Sequence, residues 1–182
     1  MADDEDMVIH DYKNRYRLLS FSSESNNAQL WAHYADNYAG ICLCFSSKKS
    51  FSNIRAVEYC ESREYRNLGN DANEDVICGY VIDSFYKKQI GWSYENEYRL
   101  IKEDDKKYVI LDESELLAVI IGHNVKNEKK NMIISYLGSG VKMYKTKIGY
   151  RTFQVNILDY DYEYAFDGSE LKRVDLEKEL LG

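Results

Sequence analysis

The run Leu116–Ile121, Leu-Leu-Ala-Val-Ile-Ile, constrains this chain more than any other stretch. It is the most hydrophobic run in the sequence, and Gly122 ends it. Six apolar residues fall far short of the ~18 that a membrane helix needs. The length suits a strand, and the composition suits a buried one. The chain is therefore expected to form a sheet with this run as its central strand and helices packed against it.

The flanking segments supply both kinds of element. Tyr16–Ser22 reads as a first strand, and Asn26–Asp36 as a helix with Leu30, Trp31 and Tyr34 at helical spacing and an Asn-rich start that offers an N-cap. Gly40 opens the strand-length run Gly-Ile-Cys-Leu-Cys-Phe, and Ile54–Cys60 reads as the next strand. Val76, Ile77, Tyr80, Val81, Ser84 and Phe85 form one stripe, predicting a helix from Asp75 to about Gln89. Tyr98–Ile101 and Lys106–Leu111 are expected to pair as a hairpin. Lys126–Leu137 reads as a helix with Met132, Ile133, Tyr136 and Leu137 on its apolar side, stopped by Gly138. Val141–Ile148 and Thr152–Ile157 alternate as strands, joined through Gly149, and the acidic tail is expected to hold a short helix at Glu170–Leu181. The class is α+β: a single domain with a mixed, mostly antiparallel sheet, about seven strands and three or four packed helices. Residues 1–15 read as an acidic N-terminal tail, 16–160 as the domain and 161–182 as an acidic C-terminal tail.

Charge narrows the partners. The chain has 24 basic and 31 acidic residues, a formal charge of −7. That disfavours electrostatic binding to nucleic acid or anionic membrane as the main role, while leaving room for a local basic site. The acidic start, Met-Ala-Asp-Asp-Glu-Asp, is unlike a signal peptide, so a cytoplasmic protein with no membrane segment is expected. There is no proline, so no helix is stopped or kinked by one. Seventeen tyrosines suit half-buried strands, and also pockets that need a flat face with a polar tip. Cys42, Cys44, Cys60 and Cys78 form no Cys-x-x-Cys pair and have no histidine at zinc-ligand spacing. They read as four free thiols in a reducing compartment, with no metal site.

No dinucleotide-binding glycine fingerprint, phosphate loop or nucleophile elbow is present. Two polar-aromatic blocks remain. In Trp31-Ala-His33-Tyr34-Ala-Asp36, Trp31 and Tyr34 share a helix face, and His33 projects about 160° from Trp31. One reading makes this a core stripe with His33 in solvent; the other has His33 or Tyr34 lining a pocket. In Trp92-Ser93-Tyr94-Glu95-Asn96-Glu97-Tyr98-Arg99, an extended backbone would place Glu95, Glu97 and Arg99 on one face. Such charges are costly to bury unpaired, so the choice lies between an exposed Arg99–Glu97 ion pair and a polar cleft in which a carboxylate acts on substrate. Ser20 and Ser22 share one face of the first strand, and Arg17 lies on the other.

Leu-Leu-Ser-Phe-Ser, the Trp31–Phe45 block, Val57–Cys60, the run from Lys88 through Trp92–Arg99 to Ile101, and Ala118–Gly122 come in an order that resembles a bacterial family catalogued as a domain of unknown function, family 2971. The resemblance covers about Arg17 to Ile148. The layout is also similar, more loosely, to that of ADP-ribosyltransferases. That similarity implies an NAD-dependent transferase of the toxin or phage-defence kind. Glu97 would be the catalytic carboxylate and Glu95 its companion. Ser22 would support the nicotinamide riboside, and Tyr34, Trp92 or Tyr94 would stack on nicotinamide with His33 nearby. Arg15 or Arg17 would hold the phosphates, unless that arginine lies in an upstream segment such as family members carry. The two blocks are then expected to approach each other. A second reading stands beside the first: a non-catalytic module that binds a protein or a small nucleotide, with NAD as the only cofactor in view.

Overall fold

In the computed structural model, the described residues are 10–62, 72–103, 108, 110–138, 140–149 and 151–161. In chain order they form β1 (Tyr16–Ser22), α1 (Ala28–Tyr34), β2 (Ile41–Phe45), β3 (Arg55–Ala56), β4 (Glu58–Cys60), α2 (Glu74–Phe85), β5 (Lys87–Gln89), β6 (Glu97–Glu103), β7 (Leu116–Ile121), α3 (Asn127–Tyr136), β8 (Lys142–Ile148) and β9 (Val155–Asp159). Short 3-10 helices cover Lys49–Phe51, Ile90–Glu95 and Glu113–Glu115, and residues 10–14, expected as tail, are helical. The class is α+β with mixed, mostly antiparallel pairing. The strands fall into three sheets rather than one.

The chain divides into two compact units, one of residues 1–23 and 50–110, the other of residues 24–49 and 111–182. In the first, β6 lies between β1 and β3 and is antiparallel to both. Its register with β1 runs from Tyr16 opposite Glu103 to Ser22 opposite Glu97. Tyr16, Leu18, Ser20 and Ser22 therefore share a face with Glu97, Arg99 and Ile101. On the other face Phe21 meets Phe51 edge-on, ring centroids 4.9 Å apart.

Two sequence expectations change here. The helix expected from Asp75 to Gln89 stops at Phe85, because Lys87–Gln89 is taken into a parallel pair with Glu58–Cys60. The Glu58 amide donates to the Tyr86 carbonyl, which begins the strand pairing where the helix ends. The single strand Ile54–Cys60 is two, Arg55–Ala56 on β6 and Glu58–Cys60 on β5. Of the hairpin partner expected at Lys106–Leu111, residues 106, 107 and 109 lie outside the described residues and Tyr108, Ile110 and Leu111 belong to no strand; the tail helix at Glu170–Leu181 lies outside the described residues.

In the second unit the sheet order is β2-β7-β8-β9. β7 is interior, antiparallel to β2 and parallel to β8, with α3 in the crossover. The central-strand expectation holds: Ala118 through Ile121 are at most 1% exposed. Ala118 and Ile120 pack with Trp31, Ala35, Tyr144, Val155 and Ile157 on one face. Val119 and Ile121 pack with Val125, Ile133 and Leu137 on the other. An apolar run with no alternation is what a strand covered on both faces requires. α3 turns in only part of its expected stripe: Met132 and Tyr136 are exposed. The last strand begins at Val155, not Thr152. Asn27 caps α1 by accepting from the Gln29 and Leu30 amides, as the Asn-rich start predicts. All four cysteines are free thiols, and Cys42 and Cys44 pack on the Trp31 side of the sheet.

Candidate functional site

The densest chemistry in the first unit is a buried charge cluster centred on Glu97. Residues 92–95 are not extended. They belong to the 3-10 helix Ile90–Glu95, and Asn96, with φ of 43°, turns the chain into β6. Glu95 and Glu97 still converge, because Lys88 from the neighbouring strand reaches both. Its Nζ donates to Glu95 Oε2, and to Glu97 Oε2 at 3.0 Å. Arg99 grips the Glu97 carboxylate with both prongs, Nε to Oε1 at 2.7 Å and Nη2 to Oε2 at 2.9 Å. The third guanidinium nitrogen, Nη1, donates to the carbonyl of Phe85 at the end of α2.

The backbone of Glu97 is also held. Its amide donates to Tyr59 Oη at 2.8 Å, and its carbonyl accepts from the Val57 amide at 2.9 Å. Ser22 Oγ donates to the Glu95 carbonyl at 2.6 Å, whereas Ser20 is the serine that hydrogen-bonds the Glu97 side chain. Glu95 and Glu97 are 4% and 5% exposed. Two carboxylates and two cations balance, which is the condition for burying charges at acceptable cost.

Burial alone would push the Glu97 carboxyl up. Hydrogen bonds from Arg99, Ser20 and Lys88 outweigh it and hold the group at about 2. A folded value below the unfolded ~4.3 means that native structure favours the ionised form. Its stabilisation is therefore complete above about pH 5 and is lost as pH falls toward 2. Urea midpoints of the wild-type protein should fall between pH 5 and pH 2.5, and that fall should be smaller in Glu97→Gln. An equal fall in both would assign the acid sensitivity elsewhere.

Around this cluster stand the aromatics of the second block. Lys88 Nζ lies 5.1 Å from the centroid of the Trp92 ring, and Trp92 and Tyr94 are tilted 37° at 5.9 Å. Trp92 is 40% exposed and Ile90 44%. Arg55 stacks over Tyr86 at 4.1 Å. Arg17 is on the opposite face of β1 from Glu97, with its guanidinium on the carbonyls of Asn14 and Tyr16. Arg15 pairs with Glu74 at 2.7 Å and Glu103 at 2.6 Å.

His33 and Tyr34 belong to the second unit, in the last turn of α1. His33 is exposed, Tyr34 is 66% exposed, and their rings are 6.3 Å apart. Trp31 from the same block is core, its Nε1 donating to the Ser25 carbonyl at 2.8 Å.

Sequence reasoning missed Lys88, Tyr59 and the role of Ser20. Lys88 opens the second block's motif but falls within the expected helix, where it has no role, and its position depends on a parallel pairing of residues 29 apart. Ser20 and Ser22 share a face, so only the register separates their roles.

No curated protein and no solved structure matches the chain. Residues 30–100 match the family described as Protein of unknown function (DUF2971). That stretch runs from α1 to the middle of β6. It holds both polar-aromatic blocks and all four charged members of the cluster. The similarity of this chain to the DUF2971 family thus spans residues 30–100, 71 of its 182 residues.

Proposed function

We propose that the first unit is a non-catalytic binding module for a small nucleotide, with the Glu97 cluster as its rigid support and Trp92 as its contact surface. The observation that carries this reading is the saturation of Glu97. Its carboxylate is held bidentately by Arg99 and bonded again by Lys88 and Ser20. A glutamate that stabilises an oxocarbenium-like cation must turn an uncompensated negative field on the reacting carbon. Here two cations within hydrogen-bond distance cancel that field. What the cluster does instead is fix β1, β5, β6, the end of α2 and the 3-10 helix against one another. The helix it fixes carries Trp92, a large exposed ring, which suits stacking of a flat base or a nicotinamide.

The test is to add NAD and ADP-ribose separately and follow three signals: melting temperature, tryptophan fluorescence and free nicotinamide. A thermal shift and quenching without nicotinamide release are expected, and both should vanish in Trp92→Ala. Absence of any shift with either ligand would overturn nucleotide binding.

One observation favours a second reading, NAD-consuming transfer in a toxin or phage-defence role. An ionised Glu97 with a serine hydroxyl and a guanidinium on it matches the residue types that chemistry uses. Nicotinamide release that disappears in Glu97→Gln would establish that reading in place of the first.

A further inference from the structure

The charge of −7 hides a strong local reversal. Residues 123–151 contain six lysines and one arginine against a single acid, Glu128. The fold of the second unit concentrates much of this at one edge of its sheet. β7 ends at Ile121 opposite Lys145, so Thr146, Lys147 and Ile148 of β8 extend past its last paired residue. The chain leaves β7 at that edge, where the His123 amide donates to Thr146 Oγ1 at 2.9 Å, and it enters α3 there. Lys126, Lys129 and Lys130 occupy the first turns of α3, and Lys126 provides no side-chain cap. Cations at the start of a helix oppose its dipole, so helix stability does not explain them.

The β8–β9 connection leaves from the same edge. It is closed by a hydrogen bond from the Gly149 amide to the Gln154 carbonyl at 2.9 Å, and it carries Arg151 and Phe153. Phe153 is 99% exposed. A wholly exposed phenylalanine on a hydrogen-bonded connection is an unusual use of an aromatic. Among the described residues, the acids near this edge are Glu128 and Asp36, the latter on a loop tied to it by Asn124 Nδ2 donating to the Asn37 carbonyl at 2.9 Å. Asp159 sits at the other end of β9, opposite Tyr144.

We propose that this edge binds single-stranded nucleic acid. Lys126, Lys129, Lys130, Lys147 and Arg151 contact successive phosphates, and a base stacks on Phe153. Cations that track a backbone, with an aromatic ring standing free among them, are the two components of such sites. A bilayer surface would use the cations too, but its hold scales with the apolar area inserted, and one ring offers far less than the apolar face of an interfacial helix, so anionic lipid is the weaker occupant. This binding is separate from the nucleotide reading of the first unit and does not depend on it.

The experiment is fluorescence anisotropy of the full chain with a labelled twelve-residue oligothymidylate and with its uridine RNA counterpart. Vesicles containing anionic lipid serve as the competing surface. Binding should weaken with salt at a log–log slope of about −3 if most of the five cations engage phosphates. The triple variant Lys126→Glu, Lys129→Glu, Arg151→Glu should bind roughly tenfold more weakly or worse. Phe153→Ala should lose roughly tenfold, the worth of one stacked base, without reducing the salt slope. Neither variant should melt below wild type, since Phe153, Lys126, Lys129 and Arg151 lie at the surface and acids at the start of α3 suit its dipole. Trp92→Ala should bind the oligonucleotide normally. No binding at 50 mM salt, binding unchanged in the variants, or binding to vesicles in place of oligonucleotide would each overturn the proposal.

Discussion

Glu97→Gln is expected to destabilise the protein by roughly 3–5 kcal/mol, the cost of breaking a buried ion pair by removing one partner. The substitution keeps the shape of the side chain. It leaves Arg99 and Lys88 facing one carboxylate instead of two, in a place where Glu97 is 5% exposed and the Arg99 side chain 13%. For a chain of this length the melting temperature should fall by about 10 °C. Arg99→Leu alone should cost a similar amount, since it strands the glutamate. The double change Glu97→Leu with Arg99→Leu should cost clearly less than the sum of the two single changes. It removes both charges together and leaves Lys88 paired with Glu95. Denaturant midpoints of the four proteins measure this directly. Additive losses would mean that the pair is not coupled. An unchanged melting temperature in Glu97→Gln is what a dedicated catalytic carboxylate predicts, so the result bears on function as well as stability.

That this cluster exists was half legible from the residues. Glu97 and Arg99 are two apart on a strand, so their shared face follows from the period of two, whichever way the strand is exposed. Their burial does not follow. It depends on β6 being the middle strand of its sheet, with β1 from 75 or more residues earlier on one side and β3 on the other. Glu95 reached the same cluster by a different route from the one its spacing suggested. The 3-10 turns and the left-handed Asn96 replace simple alternation, and Lys88 draws the two carboxylates together. Lys88 itself was hidden by a helix stripe that stops three residues earlier, overridden by long-range pairing. By contrast, β7 is legible to the residue and α1 to within two residues at each end, because burial on both faces and an asparagine cap are local signals. The basic edge escaped for a third reason. Net charge averages over the whole chain, while a surface field depends on where the turns bring the lysines.

Gly122→Ala should be among the most damaging small substitutions available in this chain. An added Cβ would stand 2.1 Å from the Tyr38 carbonyl oxygen, 2.7 Å from its carbon and 2.8 Å from the Gly40 oxygen. All three are backbone atoms, so no side chain can swing aside. The opposing loop has little freedom to retreat. Asp36, Asn37 and Tyr38 have φ of 48°, 50° and 66°, three successive residues in a region that costs non-glycine residues free energy. They are held there from the Gly122 side, by the Gly122 amide on the Gly40 carbonyl and the Asn124 amide on the Tyr38 carbonyl, each at 3.0 Å. Behind them Tyr38 stacks parallel to the buried Trp31 at 5.8 Å and meets His123 at 4.5 Å, so moving the loop also disturbs the core. The expected loss is roughly 3 kcal/mol or more, at the upper end of what overpacking costs. Gly138→Ala is the control. Nothing lies within 4 Å of its added methyl, and its midpoint should stay within about 0.5 kcal/mol of wild type. Equal midpoints for the two variants in urea would show that the 36–40 loop yields freely, and that the left-handed turn is not clamped by the end of β7.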